Sequence, residues 1–235
     1  MYYLLSVLPW AWILEWGKQF SIGLLHSINI AFWSILFGLI LGLGLAFMKN
    51  SEEISFRLFG NIVTSIIRSV PELLTLIIVY NLGQRIINNF SSFMGLNYHI
   101  NIDMFLSGVV ALAMIFGAYS SEVFSGALQS LNIGNQEAAK SLGLKFWPLL
   151  RFITLPELLF LSRAGLTNLT LSLVKQTSLI SVIGYPELLG QFHKAASSSG
   201  HYILLYGLAG LCYALMCWVT ELILNHVFFK NYTAG

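Results

Sequence analysis

Long apolar runs, almost free of charge, alternate with short polar intervals along this chain. Residues 20–48 contain no Asp, Glu, Lys or Arg. Residues 104–129 hold a single such charge, Glu122, and residues 164–186 a single one, Lys175. Residues 58–82 hold only Arg68 and Glu72, on either side of Pro71. Residues 195–220 are free of charge, and their apolar core from Tyr202 sets a fifth run at 202–228. A helix that crosses a bilayer needs about 20 mostly apolar residues. Lipid offers the backbone no hydrogen-bond partner, so each run is expected to be helical. The pattern predicts an all-α integral membrane protein of about five transmembrane helices. A membrane barrel would need many alternating segments of about ten residues, and none stand out.

Composition narrows the class further. The chain has 235 residues, 57% hydrophobic, 9% charged, with a net charge of +2. Soluble domains carry about 25% charged residues, so a soluble domain and a disordered chain are excluded. The near-neutral balance argues against nucleic-acid binding, which wants a strongly basic face. The first twenty residues lack the basic start of a signal peptide, and Trp10, Trp12 and Trp16 read as anchors at the bilayer surface. Cys212 and Cys217 fall on different faces of an apolar helix and read as small membrane-buried side chains. Gly38 and Gly42 have the spacing of a close helix–helix contact. His26 is one histidine inside a span where haem ligation would want two facing ones, and no metal-binding motif occurs.

Lys and Arg favour cytoplasmic loops. Lys49 and Arg57 follow the first span, Lys140, Lys145, Arg151 and Arg163 follow the third, and Lys230 lies in the tail. This places the N-terminus outside and the C-terminus in the cytoplasm. Residues 1–235 read as a single transmembrane domain, with a long outer loop over Gly83–Asp103 and a cytoplasmic loop over 130–163.

That cytoplasmic loop carries the strongest signal. Asn135 is a candidate N-cap, Glu137 falls in a first helical turn, and Ala138 and Ala139 favour helix. Gly143 is a stop signal. A second short helix is expected from Pro148, ended by Leu155-Pro156. A short helix with a small-residue flank can lie in a partner's groove; a plain connecting loop is the other reading.

Glu137-Ala138-Ala139 with Gly143, followed by Ile153-Thr154-Leu155-Pro156, resembles the EAA loop of permease subunits of type I ATP-binding-cassette (ABC) importers. Arg68-Ser69-Val70-Pro71, Tyr119-Ser120-Ser121-Glu122, and Asn168 with Lys175-Gln176-Thr177-Ser178-Leu179 are similar to motifs of the polar-amino-acid branch. Val70-Pro71-Glu72-Leu73-Leu74 is similar to arginine permease subunits in particular. Ser125 stands where that family usually has Arg, Asn135 where it has Gln, and Gln176 where it has Asp. The resemblance implies a MetI-like permease fold in the bacterial inner membrane, paired with a second permease subunit, identical or similar. It also implies two cytoplasmic ATPase subunits and a periplasmic or surface solute-binding protein. The coupling contacts would be Glu137, Ala138, Ala139, Gly143 and Leu144. The chain has no phosphate-binding Gly-x-x-x-x-Gly-Lys-[Ser/Thr] loop, so ATP and Mg would belong to the partner ATPase, and the chain itself is a transporter subunit, not an enzyme.

Charged groups inside spans are costly and mark pathways or partners. Arg68 and Glu72 are four apart and could pair across Pro71, as a gate or as a packing lock. Glu122 could meet a cationic solute or pair with Lys175, and the structural pairing is favoured. Tyr119, Asn168, Lys175, Thr177 and Ser178 complete the expected pathway. The rival reading is a secondary transporter or channel working without an ATPase. Five spans divide poorly into the inverted repeats such proteins use.

Overall fold

The computed structural model describes residues 11–94, 101 and 103–230. Every regular element among them is helical. In chain order these are α1 (Ala11–Lys49), α2 (Ile54–Ser69), α3 (Glu72–Phe93), α4 (Met104–Gln129), α5 (Ile133–Ser141), α6 (Phe146–Leu149), α7 (Leu155–Gln176), α8 (Leu188–Ser199) and α9 (Tyr202–Lys230). A π-helical turn, Leu150–Thr154, precedes α7, and a 3-10 segment, Thr177–Ile183, follows it. Three helices among the described residues are long and apolar enough to cross a membrane: Trp16–Lys49, Met104–Gln129 and Tyr202–His226. The broken pair α2 and α3 makes a fourth if it counts as one span. The expected span at 164–186 falls on α7 and the 3-10 segment that continues it, and α7 is not among the helices long and apolar enough by this measure.

Three local expectations need correction. Residues 58–82 do not form one kinked helix. The chain leaves helical geometry at Val70 (φ −90°, ψ 133°) and Pro71 caps α3, because a residue before proline is pushed into the extended region. Residues 83–93 are helix within α3, and Asn88, Asn89, Ser91 and Ser92 lie on it. Ser92 returns its hydroxyl to the Asn88 carbonyl at 3.0 Å, which lets a polar residue sit in a helix. Pro156 does not end a helix but is the second residue of α7. The Leu155 N–H reaches back to the Leu150 carbonyl in the π turn, and in the first turn the missing proline N–H costs nothing. Trp10 and the loop residues 95–100 and 102 lie outside the described residues.

The described residues fall into two compact units. The first takes in residues from 1–35, 71–112 and 172–220. Its core forms on α8, where Leu188, Gln191, Phe192, Ala195 and Ala196 are buried, the i, i+3, i+4, i+7, i+8 stripe of an amphipathic helix. Phe20 stacks on Phe192 with ring centroids 4.0 Å apart. Trp16 packs against the same cluster. Gly200, at φ +76°, closes α8 in a conformation that favours glycine.

The second unit takes in residues from 36–70, 113–171 and 221–235. Ala46, Phe124, Ala127, Leu158 and Leu166 form its core. The Gly38/Gly42 spacing does what small residues do between helices: a Cβ on Gly42 would stand 3.0 Å from the Gly117 carbonyl oxygen, and one on Gly38 3.1 Å from that of Ala113.

Candidate functional site

The loop between α4 and α7 is built around α5. Its N-cap is Asn132, three residues before the expected Asn135, and the Asn132 side chain accepts the Gly134 N–H at 2.9 Å. The Asn132 N–H is in turn held by the Glu157 carboxylate at 3.1 Å. Asn135 and Glu137 therefore lie inside α5, and Glu137 is past its first turn. Gly143 ends the helix as expected, at φ +80°. Its N–H reaches the Lys140 carbonyl at 2.9 Å and the Leu144 N–H reaches the Ala139 carbonyl at 3.1 Å, the paired bonds of a Schellman turn.

This capping fixes what α5 presents. Ala139 is buried, while Glu137 and Ala138 face solvent. Leu142, Phe146, Trp147 and Phe152 are 81%, 67%, 74% and 68% exposed. A groove of about 510 Å³ runs between α5 and the start of α7, lined by Ala138, Ala139, Leu142, Leu144, Ile153 and Pro156 among others. Large exposed side chains grouped around one short helix mark an interaction surface.

A second group forms in the same unit, on α1, α2 and α4. The Glu122 carboxylate is bound by the Lys49 ammonium at 2.6 Å and by the Arg68 guanidinium. The Arg68 guanidinium also lies over the Tyr119 ring, 5.5 Å from its centroid. Beside it, Asn50 donates to the Ser125 hydroxyl at 2.7 Å and accepts from Gln129 at 3.2 Å. The pairings expected of Arg68 with Glu72 and of Glu122 with Lys175 give way to this arrangement: helix packing unites Arg68 and Glu122 across 54 residues of sequence. Asn168 is exposed on α7.

The remaining expected residues belong to the first unit. Glu72 opens α3 just after Pro71, where a carboxylate suits the helix dipole, and Gln176 donates to it at 2.6 Å. An aspartate at 176 would set a second carboxylate against Glu72, so the two residues are matched. Lys175 is exposed, Thr177 is buried with its hydroxyl on the Val174 carbonyl at 2.8 Å, and Ser178 donates to Lys175 at 2.7 Å. His26 hydrogen-bonds the Pro186 carbonyl at 2.9 Å.

Two residues escaped the sequence reading. Lys49 was counted as a loop cation, but its side chain is only 7% exposed. Its place at the end of a charge-free run, with a four-carbon stem able to reach back along the helix, was the available signal. Glu187 is wholly buried and caps α8, accepting the Leu189 and Gly190 N–H groups at 2.7 Å each and the Tyr213 hydroxyl at 2.7 Å. Glutamate is not a favoured N-cap, so no local signal pointed to it.

Spanning helices, a charge cluster set among them and an exposed helical loop are the features of a helical membrane transport component. The chain belongs to the family of inner membrane components of binding-protein-dependent transport systems, whose model matches residues 34–229. It is 31% identical to the nopaline transport system permease protein of Agrobacterium fabrum over 92% of each chain. It is 28% identical to the octopine transport system permease protein of Rhizobium radiobacter over 87% of this chain and 86% of that one. Its fold matches a crystal structure of an amino acid ABC transporter at TM-score 0.76 and 25% identity, covering 95% of this chain and 99% of the other. It also matches an inward-facing methionine ABC transporter at TM-score 0.72 and 17% identity, over 91% and 96%.

Proposed function

We propose that this chain is the permease subunit of an ATP-driven importer for polar amino acids, seated in the bacterial inner membrane with its C-terminus in the cytoplasm. The observation that carries the proposal is α5. It is capped at both ends, it presents Glu137 and Ala138 outward, and large exposed apolar side chains stand around it. Such a helix suits a groove on a partner. Glu137, Ala138, Ala139, Gly143 and Leu144 are its contact and shaping residues, and the partner is a pair of cytoplasmic ATPase subunits that bind ATP and Mg. A second permease subunit, identical or similar, completes the membrane part, and a periplasmic or surface protein delivers the solute. Arg68, Pro71, Glu72, Tyr119, Glu122, Asn168, Lys175, Thr177 and Ser178 belong to the pathway and its gate. The amino acid ABC transporter whose fold this chain matches supports an amino-acid solute. Within that class the likeness over Val70–Leu74 favours a basic amino acid, arginine first. Glu122 and Glu72 add nothing to that preference, since both are already engaged within the chain.

The test is co-purification from detergent by a tag on this chain, comparing the wild type with Glu137→Lys plus Gly143→Pro. The expected result is an ATPase recovered with the wild type and lost with the variant, while a second permease, where it differs, stays in both. A chain that purifies alone in both forms and moves solute into vesicles without ATP refutes the proposal in favour of a secondary transporter.

A further inference from the structure

Glu122 is shared by two cations that differ in their freedom. The Lys49 ammonium lies 2.6 Å from the carboxylate on a side chain 7% exposed, whereas the Arg68 and Glu122 side chains are each 38% exposed. Lys49 is pinned: a Cβ on Gly60 would stand 2.9 Å from its Cγ, so its stem lies hard against α2. In apolar surroundings an ammonium keeps its charge by keeping its counter-ion. Arg68 has other options. Its planar fork carries five donors, and the Tyr119 ring supports it from one side. One carboxylate facing two cations leaves one positive charge without a counter-ion in the group. A cation without a counter-ion in an apolar protein is costly, and an incoming carboxylate supplies one. The anion that a guanidinium fork fits best is a carboxylate, taken through two parallel hydrogen bonds.

We infer that Arg68 receives the α-carboxylate of the transported solute, and that Lys49 is the positioning residue that frees it by holding Glu122 while Arg68 changes partners. The inference deepens the proposed amino-acid permease and rests on that reading. In the exchange no covalent bond changes. Arg68 leaves Glu122, Lys49 and Glu122 remain paired, and the solute's carboxylate becomes the counter-ion of Arg68, while the solute's α-ammonium keeps its own charge outside this group. A solute without a carboxylate would leave Arg68 without that counter-ion.

The test uses the complex purified through a tag on this chain and moved into lipid nanodiscs, with no solute-binding protein added. Binding of radiolabelled L-glutamine, L-histidine and L-arginine is measured, each against its decarboxylated amine as competitor. An amino acid that binds is expected to be displaced about tenfold more weakly by its amine than by unlabelled amino acid. Arg68→Gln weakens binding by about tenfold or more, and so does Lys49→Gln, because Arg68 alone must then neutralise Glu122. Lys49→Gln combined with Glu122→Gln restores binding, since Arg68 is again in surplus; a purely structural ion pair gives no such restoration. An amine that competes as well as the acid, measured on the unaltered chain, overturns the inference. So does a double variant no better than Lys49→Gln alone. If none of the three amino acids binds the wild-type complex, the amino-acid reading falls and the inference with it, while the co-purification result stands apart from both.

Discussion

Glu187 and Glu122 are carboxylates in a largely apolar helical protein, and the chain holds them by opposite means. Glu187 is wholly buried and is held by backbone N–H groups, by the Tyr213 hydroxyl at 2.7 Å, and by Ser27 at 3.5 Å. Glu122 is 38% exposed and is held by two cations. The first arrangement is fixed. Its donors are parts of helix geometry, and Ser27, itself buried, also accepts the Leu188 N–H at 3.2 Å. The second is exchangeable, because a half-exposed guanidinium can trade one carboxylate for another without leaving a donor stranded. The difference separates a carboxylate tied into a helix cap from one held by side-chain cations alone.

The largest expected effect is at Glu187. Glu187→Ala removes the α8 cap and leaves Ser27 and the Tyr213 hydroxyl without their acceptor, at a cost of about 3 kcal/mol. Thermal unfolding of the purified protein in detergent measures it. A loss below about 1 kcal/mol would mean that the Glu187 bonds do not bear on stability, and the contrast with Glu122 would fail. Glu122→Gln should cost less, about 2 kcal/mol, because the pair is partly solvated and only Lys49 is left buried without its counter-ion. A cost at Glu122 above that at Glu187 would reverse the comparison and make the cation pair the main structural tie.

These two sites also show what could be read from the sequence. The runs at 20–48 and 104–129 were legible because a long apolar run with no charge or a single one has few interpretations. Pro71 lies within a run expected to be one helix and instead breaks it, since the residue before proline leaves the helix as well as the proline itself. The start of α5 was misplaced because Asn132 and Asn135 are equally good caps by type. The choice falls to Asn132, whose N–H meets Glu157, 25 residues further along. Gly143 was legible because only local backbone conformation decides it. Pairing of charges was not. The i, i+4 rule offered Arg68 with Glu72, but it holds within one continuous helix, and the break at Val70 and Pro71 removes that condition. Lys49 left only a faint local signal and Glu187 none, because the cross-chain partners that hold them, Glu122 and Tyr213, come from other helices. The candidate coupling loop was therefore visible in outline, and the charge cluster only as isolated residues.

The smallest expected effect is a pH dependence at Glu187. Burial pushes the Glu187 carboxyl above its ordinary 4.5, and the hydrogen bonds from Tyr213, Leu189, Gly190 and Ser27 oppose that without overcoming it. The folded chain thus binds this proton more tightly than the unfolded chain. The resulting stabilisation is complete below the ordinary value and is lost as pH rises from there through the raised one, after which it is flat. Unfolding temperatures of the wild type and of Glu187→Gln, compared over roughly pH 4 to 8, isolate it. The wild type should lose stability relative to the variant as pH rises through the lower part of that range. Glutamine keeps one acceptor oxygen for the α8 cap but cannot titrate, so the difference reports the proton alone. A relative gain with rising pH would mean that the hydrogen bonds outweigh burial and hold the carboxylate ionised. Glu187 would then be held as a charged group in the folded chain, and its contrast with Glu122 would rest only on the groups that surround each carboxylate.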